Sequence, residues 1–217
     1  MQRMNHQRPP GILAAALVMA SLLAWPASGA AQLGGQLPAV GGSPSAVTGQ
    51  ATAAQVVVLG LLGTATTSTL ASTGVSSINS ESDVGQASGS VPSLLNAETL
   101  SAATYSYANE VVSEASLENL GMTVAGIEIS ADSIIARASQ ASGAAGTGLS
   151  TISNLAINGV PVDISGAPNQ AVAIPGGQLV INEQTISSDG TAVVNALHVT
   201  VNGVADVVIA SAKAGIS

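Results

Sequence analysis

Asn79, Glu81 and Asp83 stand at alternate positions in the polar stretch from Ser76 to Ser93, the one place where oxygen ligands cluster along the chain. Oxygens so spaced could begin a calcium site, because calcium collects several carboxylate and amide oxygens at once. No EF-hand loop or nonapeptide repeat surrounds them, so a solvated loop is expected there, with calcium as the alternative and no other cofactor. His198 is the only histidine after His6. A hydrolase built on it would need a serine nucleophile and an orienting acid such as Asp206 or Asp189. The chain carries no G-x-S-x-G elbow, and His198 alternates with Leu197 and Val199, which predicts a histidine on the outer face or edge of a strand. A glycosidase needs two carboxylates, which 12 acids supply on paper, but no Trp or Phe past Trp25 offers a platform for a sugar ring. One histidine is too few for catalytic zinc, which takes several nitrogen or sulfur ligands. Arg137 lies among Ile, Ala and Ser, and pairing with Glu114 or Glu128 on a neighbouring strand is expected in preference to a ligand clamp. No catalytic residue follows from these patterns, and the expected protein is not an enzyme.

The elements that would position these residues are strands. In NEVVSEASLENL, Val111, Ser113, Ala115 and Leu117 fall on one side, while Glu110, Val112, Glu114, Ser116 and Glu118 fall on the other. That is a period of two with acids facing water, although the glutamates four apart would also share one helix face. In IEISADSIIARAS the apolar parity changes from odd (Ile127, Ile129) to even (Ile134, Ala136, Ala138), as if one residue were inserted near Ser130 to Asp132, which predicts a β-bulge. Asn158-Gly159 and Asn202-Gly203 suit tight hairpin turns, Ser188 to Gly190 another turn, and Pro161 a strand start or edge.

Compartment is legible at the start of the chain. Arg3 and Arg8 precede an apolar run from Gly11 to Trp25, followed by the small residues Ala27 to Ala31, which is the order of a secretory signal peptide cleaved near Ala30 or Ala31. The run is shorter than the ~20 residues a membrane-spanning helix needs, so no span is expected in the mature chain. With no cysteine, neither disulfides nor thiolate chemistry are available. Beyond the signal the cations are Arg137 and Lys213 alone against all 12 acids, so nucleic acid and anionic lipid are poor partners.

These features divide the chain into a signal peptide at 1–31, a Gly/Pro/Ser-rich lead-in at 32–50 and a single β domain at 51–217. Low charge accompanies abundant Val, Ile, Leu and Ala, which is the composition of a packed core and not of a disordered segment. Two stretches echo others. SLENLGMTVAGIEIS at 116–130 overlies TISNLAINGVPVDIS at 151–165, and DSIIARAS at 132–139 overlies DVVIASAK at 206–213. Either the strands share a small-residue pattern or the chain carries an internal duplication.

PNQAVAIPGGQLVINEQ at 168–184, followed by VNALHVTVNGVADVVIASAKAG at 194–215, resembles the closing half of the bacterial choice-of-anchor P domain proteins, with further likeness in SEASLENLGMTVAGIEISADSIIARAS and GQATAAQVVVLG. The resemblance implies an exported, envelope-associated or extracellular β domain joined in different members to different C-terminal anchors. It supplies no catalytic residues, and this sequence shows no anchor after its last strand. The expected architecture is all-β, an antiparallel two-sheet sandwich, with a β-solenoid as the alternative suggested by the echoes. The expected protein is secreted to the periplasm, cell surface or exterior, where it is a structural or interaction protein without catalytic activity, including self-association through strand edges in a surface matrix. A secreted binding module for polysaccharide or calcium is the second reading.

Overall fold

The computed structural model describes residues 46–60 and 64–217, so the signal segment 1–31 and most of the 32–50 lead-in lie outside the described residues. Alternating small and β-branched residues form strands throughout, and the described residues contain no helix. β1 (Val47–Leu59) pairs with β2 (Ala65–Ser72); β1 takes in Val47 to Gln50, which the sequence reads as lead-in. The chain crosses to a second sheet and meanders through β3 (Ser80–Val91), β4 (Leu95–Ser106), β5 (Glu110–Val124) and β6 (Ile127–Ala141). β7 (Thr147–Ser153) and β8 (Ala156–Ile157) both pair with β6, and β9 (Val160–Pro161) pairs with β8. The chain then crosses back into β10 (Gln170–Ile174), β11 (Gly177–Ile186), β12 (Ala192–Val201) and β13 (Ala205–Ile216).

β13 runs along β1 from Val47↔Ile216 to Val58↔Ala205, completing a six-stranded sheet in the order β10-β11-β12-β13-β1-β2. The other sheet runs β3-β4-β5-β6-β8-β9, with β7 beside β6. Every pairing is antiparallel and neither sheet closes into a barrel, so the sandwich is realised and the solenoid alternative falls. The stretch Ser76 to Ser93 departs from its expected loop, because most of it is the edge strand β3. Its half-covered face carries Ser80, Ser82 and Gly89 beside Val84 and Val91, so the sequence lacks the apolar alternation that marks a half-buried strand.

The parity change expected near Ser130 to Asp132 is present but is not a β-bulge, because β6 pairs with β5 through it without a register shift; it belongs to a row that crosses the whole sheet. In β6 the buried residues are Ile127, Ile129 and Ala131, then Ile134, Ala136 and Ala138; in β5 they are Val111, Ser113, Ala115 and Leu117, then Leu120, Met122 and Val124. The pairs Glu118↔Ser133 and Leu120↔Ala131 leave Asn119 opposite Asp132 at the switch. Asp132 in turn accepts a 2.6 Å hydrogen bond from Asn154, between β7 and β8. β4 switches at Thr99 through a shifted register, and the pairs Gln86↔Leu100 and Ser88↔Glu98 place Ala87 of β3 across from Thr99. The six-stranded sheet has its own row through Asn182, Ala196, Ala210, Ala53 and Ala71.

Backbone geometry explains the switches. Thr99, Asn119, Asn154, Asn182, Ala210 and Ala71 have φ of 48°, 50°, 54°, 53°, 50° and 42°. One left-handed residue skips a step of the pleat, so two consecutive side chains fall on one face. The facing residues Asp132, Ala196 and Ala53 make the matching change of face without a left-handed φ, which preserves the pairing and keeps the apolar face inward. Asn, the residue most tolerant of this region after Gly, occupies three of these positions.

The core is built from Leu, Ile, Val, Ala and one Met, with Leu117, Ile134, Leu179, Leu197 and Ile209 fully buried. Each such side chain contributes about 1.5–3 kcal/mol relative to exposure. With no large aromatic between them the sheets approach closely: a Cβ on Gly148 of β7 would lie 2.3 Å from Val194 Cγ2 of β12. Hydroxyls line the crossover into β3, where Thr104 Oγ1 lies 3.2 Å from both Thr73 Oγ1 and Ser113 Oγ, and Ser76 bonds Ser106. At the other end, buried Gln140 accepts from Ile216 N at 2.8 Å and donates to the Ala144 and Asp189 carbonyls at 3.0 and 3.3 Å, tying β6 to β13 and to two loops.

Candidate functional site

His198 lies on the outer face of β12, an interior strand of the six-stranded sheet, so it is a face residue and not an edge residue. Leu197 and Val199 point into the core, which forces His198 and Thr200 outward. The ring is held from both sides. Its Nδ1 lies 2.9 Å from Glu183 Oε2 on β11, and its Nε2 lies 3.2 Å from Asp206 Oδ1 on β13. Thr200 Oγ1 is 3.4 Å from Nε2, and Asn195 Nδ2 donates to Glu183 Oε2 at 2.6 Å. Partial burial alone would lower the pKa of His198, but the hydrogen bonds and negative charge of Glu183 and Asp206 outweigh it and raise the pKa above the ordinary value.

This arrangement can take up a proton and hold it between two carboxylates. A Ser/His/Asp triad requires one ring nitrogen to face a serine hydroxyl, whereas both nitrogens here face acids. Of the acids considered in the sequence, Asp206 joins the histidine, while Asp189 accepts from Thr191 N at 2.9 Å within its own turn. That hydrogen bond lowers the Asp189 pKa. Glu183 is the partner that sequence reasoning misses, because it follows the switch at Asn182 and changes face relative to the apolar alternation of Leu179 and Ile181.

Asn79, Glu81 and Asp83 do not converge. Asn79 occupies a left-handed turn position with φ of 56°, and Glu81 and Asp83 project from β3. Glu81 accepts a hydrogen bond from the Tyr107 hydroxyl, which raises the tyrosine pKa. Among the described residues no group of three or more His, Asp or Glu side chains is placed to hold a metal ion. Arg137 faces Glu114 directly across β5 and β6, its Nη1 3.9 Å from Glu114 Oε2, with both side chains about half exposed, which is the pairing expected for it.

Two shallow hollows of about 360 and 310 Å³ mark the surface. The first lies at the β3–β4 turn around Pro92, Ser93 and Leu94, and the second around Gly177, Gln178, Thr200 and Asn202. Among the described residues no helix is long and apolar enough to cross a membrane. The chain matches no family model, no curated protein and no solved structure.

Proposed function

We propose that this chain is an exported, non-catalytic structural or interaction domain working at the cell exterior. The observation that carries the reading is the open margin formed by β2 and β3, the latter a long edge strand with backbone groups free to pair. The signal-like start and the resemblance to choice-of-anchor P domains support the same reading. A surface built of Ser, Thr and Ala around a densely hydrogen-bonded sandwich fits display or assembly. The test is add-back: purified mature chain is mixed with producing cells that lack the gene, then washed. Retention at the surface supports the reading, whereas quantitative recovery in the wash favours a diffusible module for polysaccharide or calcium.

A further inference from the structure

The edges of the sandwich are finished differently. β9 is two residues long and ends in Pro161, and β10 is five residues long with Pro168 and Pro175 close by. β3 runs for 12 residues with no proline and no cation, so it lacks two of the devices by which edge strands ordinarily avoid pairing. Its acids, Glu81 and Asp83, lie near one end, and Val84 to Val91 is uncharged.

The row of switches adds a geometric condition. Neighbouring strands within each sheet meet with their parity switches aligned or compensated by a local bulge, so a strand added at an edge must match the switch it meets. The switch of β2 is at Ala71, one residue from its end; that of β7 is at Asn154, just beyond it; and that of β10 is at Asn169, just before it. Among the described edge strands, β3 alone has ample strand on both sides of its switch, at Ala87.

We infer that β3 pairs antiparallel with β3 of a second copy about a two-fold axis between Ala87 and Ser88, joining two seven-stranded sheets into one. This gives the interaction reading above a partner and rests on that reading only for its importance outside the cell. The axis places Ala87 opposite Ser88, Gln86 opposite Gly89, Gly85 opposite Ser90 and Val84 opposite Val91 of the other copy, so that both members of each pair lie on one face of the joined sheet. The acids of the two copies then lie at opposite ends of the interface, and small residues at the centre let the backbones approach. Val75 and Ile78, 70% and 43% exposed, precede β3, and the pairing carries that end of one copy toward the Pro92–Leu94 turn and its hollow in the other.

The chain's lack of cysteine makes the test direct. Residues opposite each other in an antiparallel pair have Cα atoms about 4.5–5.5 Å apart, within disulfide reach. Exported chains carrying Ala87→Cys and Ser88→Cys, mixed in equal amounts, are expected to link to each other by a disulfide under mild oxidation, while Ser68→Cys on β2 stays monomeric. Sedimentation of the unsubstituted chain should show a concentration-dependent dimer. Ala87→Lys, which sets two cations beside each other across the axis on the exposed face, should weaken it about fivefold or more with an unchanged circular dichroism spectrum. A strict monomer at every concentration overturns the inference. So does a dimer that survives Ala87→Lys while the Ala87→Cys and Ser88→Cys chains stay unlinked, although self-association through another surface would leave the interaction reading standing.

Discussion

Replacing Asn119 with valine tests the physical origin of the switch row. Asn119 is exposed on β5, with φ of 50° and its Nδ2 2.8 Å from Glu98 Oε2. A left-handed backbone costs an ordinary L-residue roughly 1–2 kcal/mol, with a β-branched side chain at the upper end. Loss of an exposed hydrogen bond adds roughly 0.5 kcal/mol. Asn119→Val should therefore destabilise by about 2 kcal/mol, which for a domain of this size lowers Tm by about 4–8 °C. Asn119→Gly keeps the conformation accessible and should cost under about 1 kcal/mol. Thr123→Val, exposed on the same strand but away from the switch, should be neutral or slightly stabilising. Urea titration of the three variants, with equal m-values, gives the comparison. If Asn119→Val matches Thr123→Val, the switch does not depend on a left-handed residue and the physical explanation of the row is wrong.

Further consequences can be measured on the same material. The folded pKa of His198 is raised, so its contribution to stability is fully present below the unfolded value of 6.5 and is lost as pH rises through the folded pKa. Thermal melts should accordingly show higher stability at about pH 5.5 than at about pH 8.5 from this group, and His198→Gln should remove that part of the difference. Gln140→Ala leaves Ile216 N and two carbonyls without their partner and should cost about 2–4 kcal/mol in urea unfolding. Arg137→Ala should change stability by less than about 0.5 kcal/mol, since its pair with Glu114 is long and exposed. Millimolar calcium should leave Tm unchanged; a rise of several degrees would restore the Asn79, Glu81 and Asp83 site.

Much of the fold is legible because one face of most strands is dry. Val111 to Leu117, Leu197 to Val201 and the Asn158-Gly159 turn declare themselves by period and turn chemistry, and the parity change before Ile134 announces a switch. The echo of Asn119-Leu120 in Asn154-Leu155 also has a structural reason: each pair sets a left-handed Asn before a buried Leu. β3 is hidden because the half-covered face of this edge strand mixes Ser80, Ser82 and Gly89 with Val84 and Val91, which leaves no apolar alternation. The histidine site is half legible. Asp206 follows from the hairpin that folds β13 beside β12, whereas Glu183 depends on a left-handed Asn182 that no local pattern marks. Which strands form edges is a property of topology, set by two crossovers, and strand signals alone do not contain it.

Export of this chain, and its action as a mature sandwich domain at the exterior, is what we propose. Its most direct test is fractionation of the producing cell with intact mass of the recovered protein. The predicted result is a chain beginning at or just after Ala30 or Ala31, held at the cell surface. Recovery from the cytoplasm as a full-length chain that still begins at Met1 would contradict it.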